Sequence, residues 1–302
     1  MTLARRVITL ALLFAGVAGC RDTPQARAAE ARTVARSRAK LLATRIAYAD
    51  AHPDKNVTLA MWLMPPELNE ISGLALTARG TVFTHDDNVA RVYEIDPKTG
   101  ILLKSFSLLD NPKGDFEAIT IAGNDIYLMD SDGKLFKFRE GADGKQVPYT
   151  WFDTGLGKQC EFEGLTYEPD SSRLLMVCKR FVDKKAPHGL LIFRIPLPLG
   201  DLAGVTTLRV PIEEVVGKNH WKNIHPSDIN IDPMTGNYVI VASREKALVV
   251  LSPDGDVVRS EPLPGEHRQP EGIAVTKDSL LLVSDEANVK PAVITVYRWR
   301  PT

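Results

Sequence analysis

Glu161-Phe162-Glu163-Gly164-Leu165 sets an acid before a small residue and then an aliphatic one, and the same order returns along the chain. It recurs as Asn69-Glu70-Ile71-Ser72-Gly73-Leu74, as Asp115-Phe116-Glu117-Ala118-Ile119, as Pro226-Ser227-Asp228-Ile229 without the small residue, and as Pro270-Glu271-Gly272-Ile273. The leading acids Glu70, Glu117, Glu163, Asp228 and Glu271 stand 47, 46, 65 and 43 residues apart. The segment after each acid repeats as well. A short apolar run leads to a turn such as Arg79-Gly80 or Lys277-Asp278, and a second apolar run ends in Asp86, Asp130, Lys179, Arg244 or Asp285. A third run comes next, such as Leu135-Phe136-Lys137-Phe138, and then a fourth, such as Gln146 to Phe152 or Thr206 to Ile212. Apolar runs of this length between Gly, Asp and Asn turns read as hairpins. A unit of about 40–50 residues with four such strands is the blade of a propeller.

Five units predict an all-β fold, a five-bladed β-propeller of four-stranded antiparallel blades. The fifth unit runs out of chain after its third strand. Asn56 to Leu63 is strand-like and is predicted to supply the missing strand, closing the ring and removing an exposed sheet edge. The long third interval holds insertions around 196–204 and 216–225, and a six-bladed ring is the alternative if they hide a degenerate unit.

In a propeller the first strand of each blade lines the central channel. The start of that strand and the end of the next are neighbours in a hairpin. The spacing therefore predicts a ring in which Glu70, Glu117, Glu163, Asp228 and Glu271 stand beside Asp86, Asp130 and Asp285, with Lys179 and Arg244 among them. Carboxylates this close must hold protons or a cation. An all-oxygen set without thiolate or imidazole suits Ca²⁺. The competing reading is that each acid caps its own blade, on backbone N–H groups or on Lys179 and Arg244. Lys179, Arg180 and Arg244 are the candidates for holding an anionic substrate.

Other signals are weaker. Cys160 and Cys178 flank one predicted hairpin, in a register that places Cys178 opposite Glu163. A disulfide and two buried thiols both remain open. None of the six histidines has a metal-binding spacing. No nucleophile elbow, P-loop or dinucleotide fingerprint occurs. Net charge is −1 over 302 residues, which gives no electrostatic case for nucleic acid.

The start of the chain reads as an export signal. Arg5-Arg6 precedes the apolar run Val7 to Ala18, which is too short to span a bilayer, and Val17-Ala18-Gly19-Cys20 ends it. This resembles the lipobox of bacterial lipoproteins, whose cysteine carries the lipid. An ordinary signal peptide and an uncleaved anchor are the alternatives. The expected division is a lipoprotein signal peptide over 1–19, the lipidated Cys20 with a basic, helical or flexible tether over 20–52, and the propeller over 53–302. The tether carries Arg21, Arg27, Arg32, Arg36, Arg38, Lys40 and Arg45 against Asp22 and Glu30. It suits either a solvated spacer or a segment lying on anionic headgroups.

The five acid-led segments resemble those of the SdiA-regulated family of bacterial envelope proteins across about 56–299. That resemblance implies a five-bladed propeller, distantly similar to NHL-repeat propellers, with a calcium site. Lys179 and Arg244 depart from a full ring of acids. The expectation is a membrane-anchored, extracytoplasmic Ca²⁺-binding propeller that binds a small molecule or a protein. It would be monomeric and sit on the periplasmic face of the cell envelope, with Arg21 pointing to the outer membrane. The alternative is a Ca²⁺-dependent phosphoesterase- or lactonase-like hydrolase working at the channel mouth.

Overall fold

The structure, a computed structural model, describes residues 24–301 apart from 184, 186–188 and 201. The expected signal peptide and Cys20 lie outside them. Alternation of side chains explains both the strands and their packing. In Arg173–Phe181, Leu174, Met176 and Cys178 face one neighbouring blade while Leu175 and Val177 face the other. In Tyr238–Ala242, Tyr238, Ile240 and Ala242 point one way and Val239 and Val241 the other. A strand buried on both faces reads as an unbroken apolar run rather than an alternating one, since neither side meets water.

Five antiparallel sheets form, and they make a five-bladed propeller. The innermost strands are Ile71–Leu76, Phe116–Ala122, Cys160–Glu168, Pro226–Ile231 and Pro270–Val275, each touching the next and the last touching the first. The core is five apolar clusters, one in each gap between adjacent blades. Thr58–Leu63 pairs antiparallel with Val293–Arg298 and completes the fifth blade, so the ring closes as the sequence predicts. Among the described residues the insertions form no sixth blade. They contribute a single helical turn at Leu202–Gly204 and a five-residue helix at Ile212–Val216 that packs on blades 3 and 4.

Two elements depart from the expected layout. Gln146 to Phe152 reads as one outer strand, but it is split at Pro148. Gln146–Val147 runs parallel to the outer strand of blade 1, Ile101–Leu108, and Tyr149–Asp153 closes blade 2. Proline has no N–H to continue a ladder, so the chain changes sheets there. The second departure is the basic segment. Pro24–Ala51 is one helix, and its C-terminal half lies on blade 5. Leu42 and Ala49 are buried there against Leu59 and Ile294. Arg38 donates to the Thr99 carbonyl at 2.8 Å and stacks over Trp62, while Arg45 donates to the Leu59 carbonyl at 3.2 Å. Two of the tether's cations thus hold the propeller. Among the described residues no helix is long and apolar enough to cross a membrane.

Candidate functional site

Every inner strand begins with a register shift against its partner. Phe116 opposes Asp130 while Ala118 opposes Met129, leaving Glu117 over. By the same pattern Glu163 is extra between Phe162 and Gly164, Ser227 between Pro226 and Asp228, and Glu271 between Pro270 and Gly272. In blade 1, Ser72 and Gly73 lie between the paired Ile71 and Leu74. A β-bulge re-aims a side chain. Here the equivalent residues are Ser72, Glu117, Glu163, Ser227 and Glu271: three glutamates and two serines. Ser72 Oγ donates to the Glu117 carbonyl at 3.0 Å and Ser227 Oγ to the Pro270 carbonyl at 2.7 Å, so each serine stitches its blade to the next.

Pairing by bulge shows that matching acid to acid slips in two blades. Glu70 lies two positions before Ser72, and Asp228 lies one position after Ser227. Asp228 therefore occupies the small-residue place held by Gly73, Ala118, Gly164 and Gly272. A Cβ on Gly164 would come within 3.0 Å of the Asp228 backbone, and one on Gly272 within 2.7 Å of the Ser72 carbonyl, so the layer admits little bulk. Asp228 is fully buried and fills the axis. Its carboxyl accepts N–H bonds from Ile229 at 2.8 Å, Ile273 at 2.9 Å and Leu74 at 3.2 Å, and from Leu165. These donors belong to blades 4, 5, 1 and 3. Burial pushes its pKa well above the ordinary carboxylate value, against those donors. Asp228 is the floor of the channel rather than part of its mouth.

A slip of one residue also affects the second strands. Asp86 and Asp130 close their own turns, and Asp285 ties down the loop that enters the inner strand of blade 5, instead of facing the axis. Asp86 accepts from Asn88 N and Val89 N, and Asp130 from Lys134 N. Asp285 accepts from Arg268 N, Gln269 N and His267 Nδ1. The next residue in blades 1 and 5, Asp87 and Glu286, reaches the mouth. Successive strand residues point to opposite faces, so a single step exchanges cap for channel. Arg244 bonds His225 Nε2 at 3.3 Å, and Arg180 is exposed and paired with Glu161.

The mouth is a cavity of about 240 Å³ lined by Glu70, Asp87, Glu117, Glu163, Glu271 and Glu286, with Lys179, Gln269 and Ser72 among them. Six carboxylates thus face one ammonium. Lys179 pairs with Glu163 and lies 3.8 Å from Glu161. Glu163 Oε2 is buried without a hydrogen-bond partner. Burial, then Glu70, Asp86 and Asp115, raises Asp87 to about 7. Burial and Asp115 raise Glu117 to about 8 against the pull of Lys179. Burial and a hydrogen bond with Glu70 raise Glu286 to about 8. Burial also raises Glu271. One oxygen each from Glu70, Asp87 and Glu286 lie within 4.8 Å of one another. The site is chemically a crowded anionic cup with more negative charge than its own ammonium balances. Its donors are all oxygen, and the residues present fit a hard divalent cation. Sequence reasoning missed Asp87 and Glu286. Aligning the repeated Gly-Leu, Ala-Ile and Gly-Ile pairs would have fixed the register of the inner strands, but not these two acids after the second strands.

Cys160 and Cys178 form a disulfide beside the mouth, with Cα atoms 5.5 Å apart. The predicted register had Cys178 opposite Glu163. The structure places it opposite Phe162, where a second irregularity between Glu161 and Phe162 lets it meet Cys160.

The SdiA-regulated family profile matches residues 206–299, which span the outer strand of blade 3, the whole of blade 4 and the three C-terminal strands of blade 5. No curated protein sequence matches the chain. Among solved structures, the Myxococcus xanthus glutaminyl cyclase is 13% identical with a TM-score of 0.53, covering 82% of this chain and 97% of that one. A luciferin-regenerating enzyme is 10% identical with a TM-score of 0.51, covering 82% of this chain and 98% of that one. Virginiamycin B lyase from Staphylococcus aureus is 15% identical with a TM-score of 0.43, covering 78% of this chain and 69% of that one. At these identities the likeness to the first two is one of fold alone.

Proposed function

We propose that this chain is a lipid-anchored protein of the bacterial cell envelope that binds Ca²⁺ at the channel mouth and serves there as a binding module for a ligand or partner. The observation that carries the reading is the convergence of Glu70, Asp87 and Glu286 inside a cup of six carboxylates. These three side chains would hold the ion, with Glu117 and Glu271 as neighbouring acids. A bound divalent cation would offset their mutual repulsion and offer open coordination positions to a ligand oxygen. The orphaned, buried Oε2 of Glu163 is a further acceptor at the same mouth. The anchor rests on the resemblance of the segment ending at Cys20 to a lipobox, and a disulfide at the mouth suits an oxidising compartment.

The mouth's one cation favours a binder over an anion-processing enzyme. Lys179 is engaged by Glu163, and neither Arg180 nor Arg244 lines the cup. One observation supports a second reading as a hydrolase: Glu117, raised to about 8, is tuned near the range suited to proton transfer.

Metal analysis of the purified domain, followed by calorimetric titration with CaCl₂, tests the proposal. Near-stoichiometric Ca²⁺ that EDTA removes, with a fall in Tm, is expected. Glu286→Gln should weaken binding at least about tenfold. A protein that binds no Ca²⁺ and melts identically with and without EDTA would refute it. Turnover of phosphoesters or lactones that Glu117→Gln abolishes would favour the hydrolase.

A further inference from the structure

A second cavity of about 490 Å³ lies between blades 4 and 5, away from the acidic mouth, and its charge has the opposite sign. That volume is in the range of small-molecule sites. Its apolar lining comes from Val57, Leu248, Leu263 and Leu281. Its charged lining is Lys55, Arg259, Arg298 and Arg300 against Glu261 alone.

The four cations are not equivalent. Arg298 is fixed by Asp50 at 2.7 Å and by the Asp278 and Ser279 carbonyls. Arg300 is fixed by the Ala49 carbonyl at 2.7 Å, at the C-terminus of the long helix, and by the Pro53 carbonyl. Arg259 differs. It stacks on Trp299 with its guanidinium carbon 4.5 Å from the ring centroid and gives one N–H to the Arg300 carbonyl at 3.3 Å. Its Nε is buried without a hydrogen-bond partner. That Nε makes a loose ion pair with Glu261, whose half-exposed carboxylate stands 3.5 Å away. Burial lowers the Arg259 pKa, so the site disfavours the charge it contains. A largely desolvated guanidinium that makes one long hydrogen bond and one loose ion pair can take a further oxyanion. Trp299 holds its plane in place, which reduces the ordering that an incoming oxyanion would require.

We infer that this cleft is a binding site for a small oxyanion, a carboxylate or phosphate monoester with an apolar body, whose charged end pairs with Arg259 and Lys55 and whose body lies on Leu248, Leu263 and Leu281. Because Lys55, Asn56 and Val57 form one wall, the ligand would bridge blade 4, blade 5 and the segment that leads into the ring-closing strand. Binding would therefore stabilise closure of the ring.

Calorimetry on the full soluble domain with phenyl phosphate, benzoate, inorganic phosphate and phenol tests this. At least one of the two aromatic anions is expected to bind with a Kd of about 1 mM or tighter and to raise Tm, whereas phenol is not. Comparison of phenyl phosphate with benzoate assigns the charged group, and inorganic phosphate reports what the apolar body adds. Arg259→Gln and Lys55→Gln should each weaken binding about tenfold or more, while Arg259→Lys should restore only part of it. Lys55 is exposed, so its variant keeps the test informative if Arg259→Gln does not fold. EDTA and Glu286→Gln should leave this binding unchanged, separating the cleft from the mouth. The inference fails if neither aromatic anion binds more tightly than about 10 mM, or if the folded variants bind as the wild type does.

Discussion

Asp228 shows how one residue fixes the axis. The inner edge of a propeller blade leaves N–H groups facing the channel, and buried donors need acceptors. In this chain one carboxyl serves donors from blades 1, 3, 4 and 5. Asp228→Asn keeps the shape but turns an NH₂ toward a backbone N–H, so it should destabilise by about 2–3 kcal/mol. Chemical denaturation should show that loss to exceed the one from Glu117→Gln, whose side chain borders open space in the mouth. The mouth makes a separate prediction. Asp87 and Glu286 have folded pKa values raised to about 7 and about 8, so without metal their contribution to stability is full below the unfolded value near 4 and is lost as pH rises through about 7–8. A bound cation needs them ionised, so Ca²⁺ affinity should rise from pH 6 to 9, and titrations at several pH values would show it. Affinity that falls over this range would contradict the assignment. The acidity of the mouth was legible in the sequence, but its membership was only partly so. Glu117, Glu163, Glu271 and Lys179 were placed by spacing. Asp86 and Asp285 were chosen one residue short of Asp87 and Glu286, because where a strand ends tells nothing of which face the last acid takes.

Among the elements, strands were the most legible part, since burial between two blades imposes long apolar runs. The bulges were not, because an extra residue leaves no mark in hydropathy and shows only in the small residue that comes after it. The split at Pro148 has a functional consequence for the sheet edge. The loop before it lies along blade 1, where Glu140 pairs with Arg79 and Lys104, and both cations also reach Glu94. Such cover protects an outer edge from pairing with other chains. Burial raises the Glu94 pKa, but bonds from Thr81 at 2.5 Å and Arg79 at 2.9 Å, helped by Lys104, lower it overall. A depressed folded pKa gives stability that is present above the unfolded value near 4.5 and lost as pH falls through the folded one. Glu94→Gln should therefore cost about 1–2 kcal/mol at pH 7 and progressively less as the pH falls below 4.5, as melts across that range would reveal. The disulfide belongs to the same scale. It closes a hairpin with a sequence separation of 18, and the double Cys→Ala variant should lose about 3 kcal/mol, with the loss read by denaturation under oxidising conditions.

For the whole molecule, stability depends on where the two ends of the ring meet. The fifth blade takes its outer strand from Thr58–Leu63, and the helix before it is clamped by Arg38, Arg45 and the Arg298–Asp50 pair. The sequence showed the closing strand, because it was the one apolar strand-like run without a blade of its own. It did not show that the helix docks, because Leu42, Ile46 and Ala49 make only a narrow apolar stripe in a segment dominated by charge. These contacts rank the effects of shortening the chain. Removing residues up to 34 takes away, among the described side chains, only exposed ones of the helix, and should change stability by no more than about 0.5 kcal/mol. Removing residues up to 52 bares the patch under Leu42 and Ala49 and should lower Tm by several degrees while leaving one cooperative transition. Removing residues up to 64 opens blade 5, leaves Val293–Arg298 as an unpaired edge and strips Leu59, Trp62 and Met64 from the core between blades 5 and 1. That form should lose cooperative unfolding or associate through the bare edge. Calorimetry and sizing of the three truncations would check the order. A cooperative monomer from the shortest one would mean that the ring holds without its closing strand, and that packing between blades alone supplies the closure.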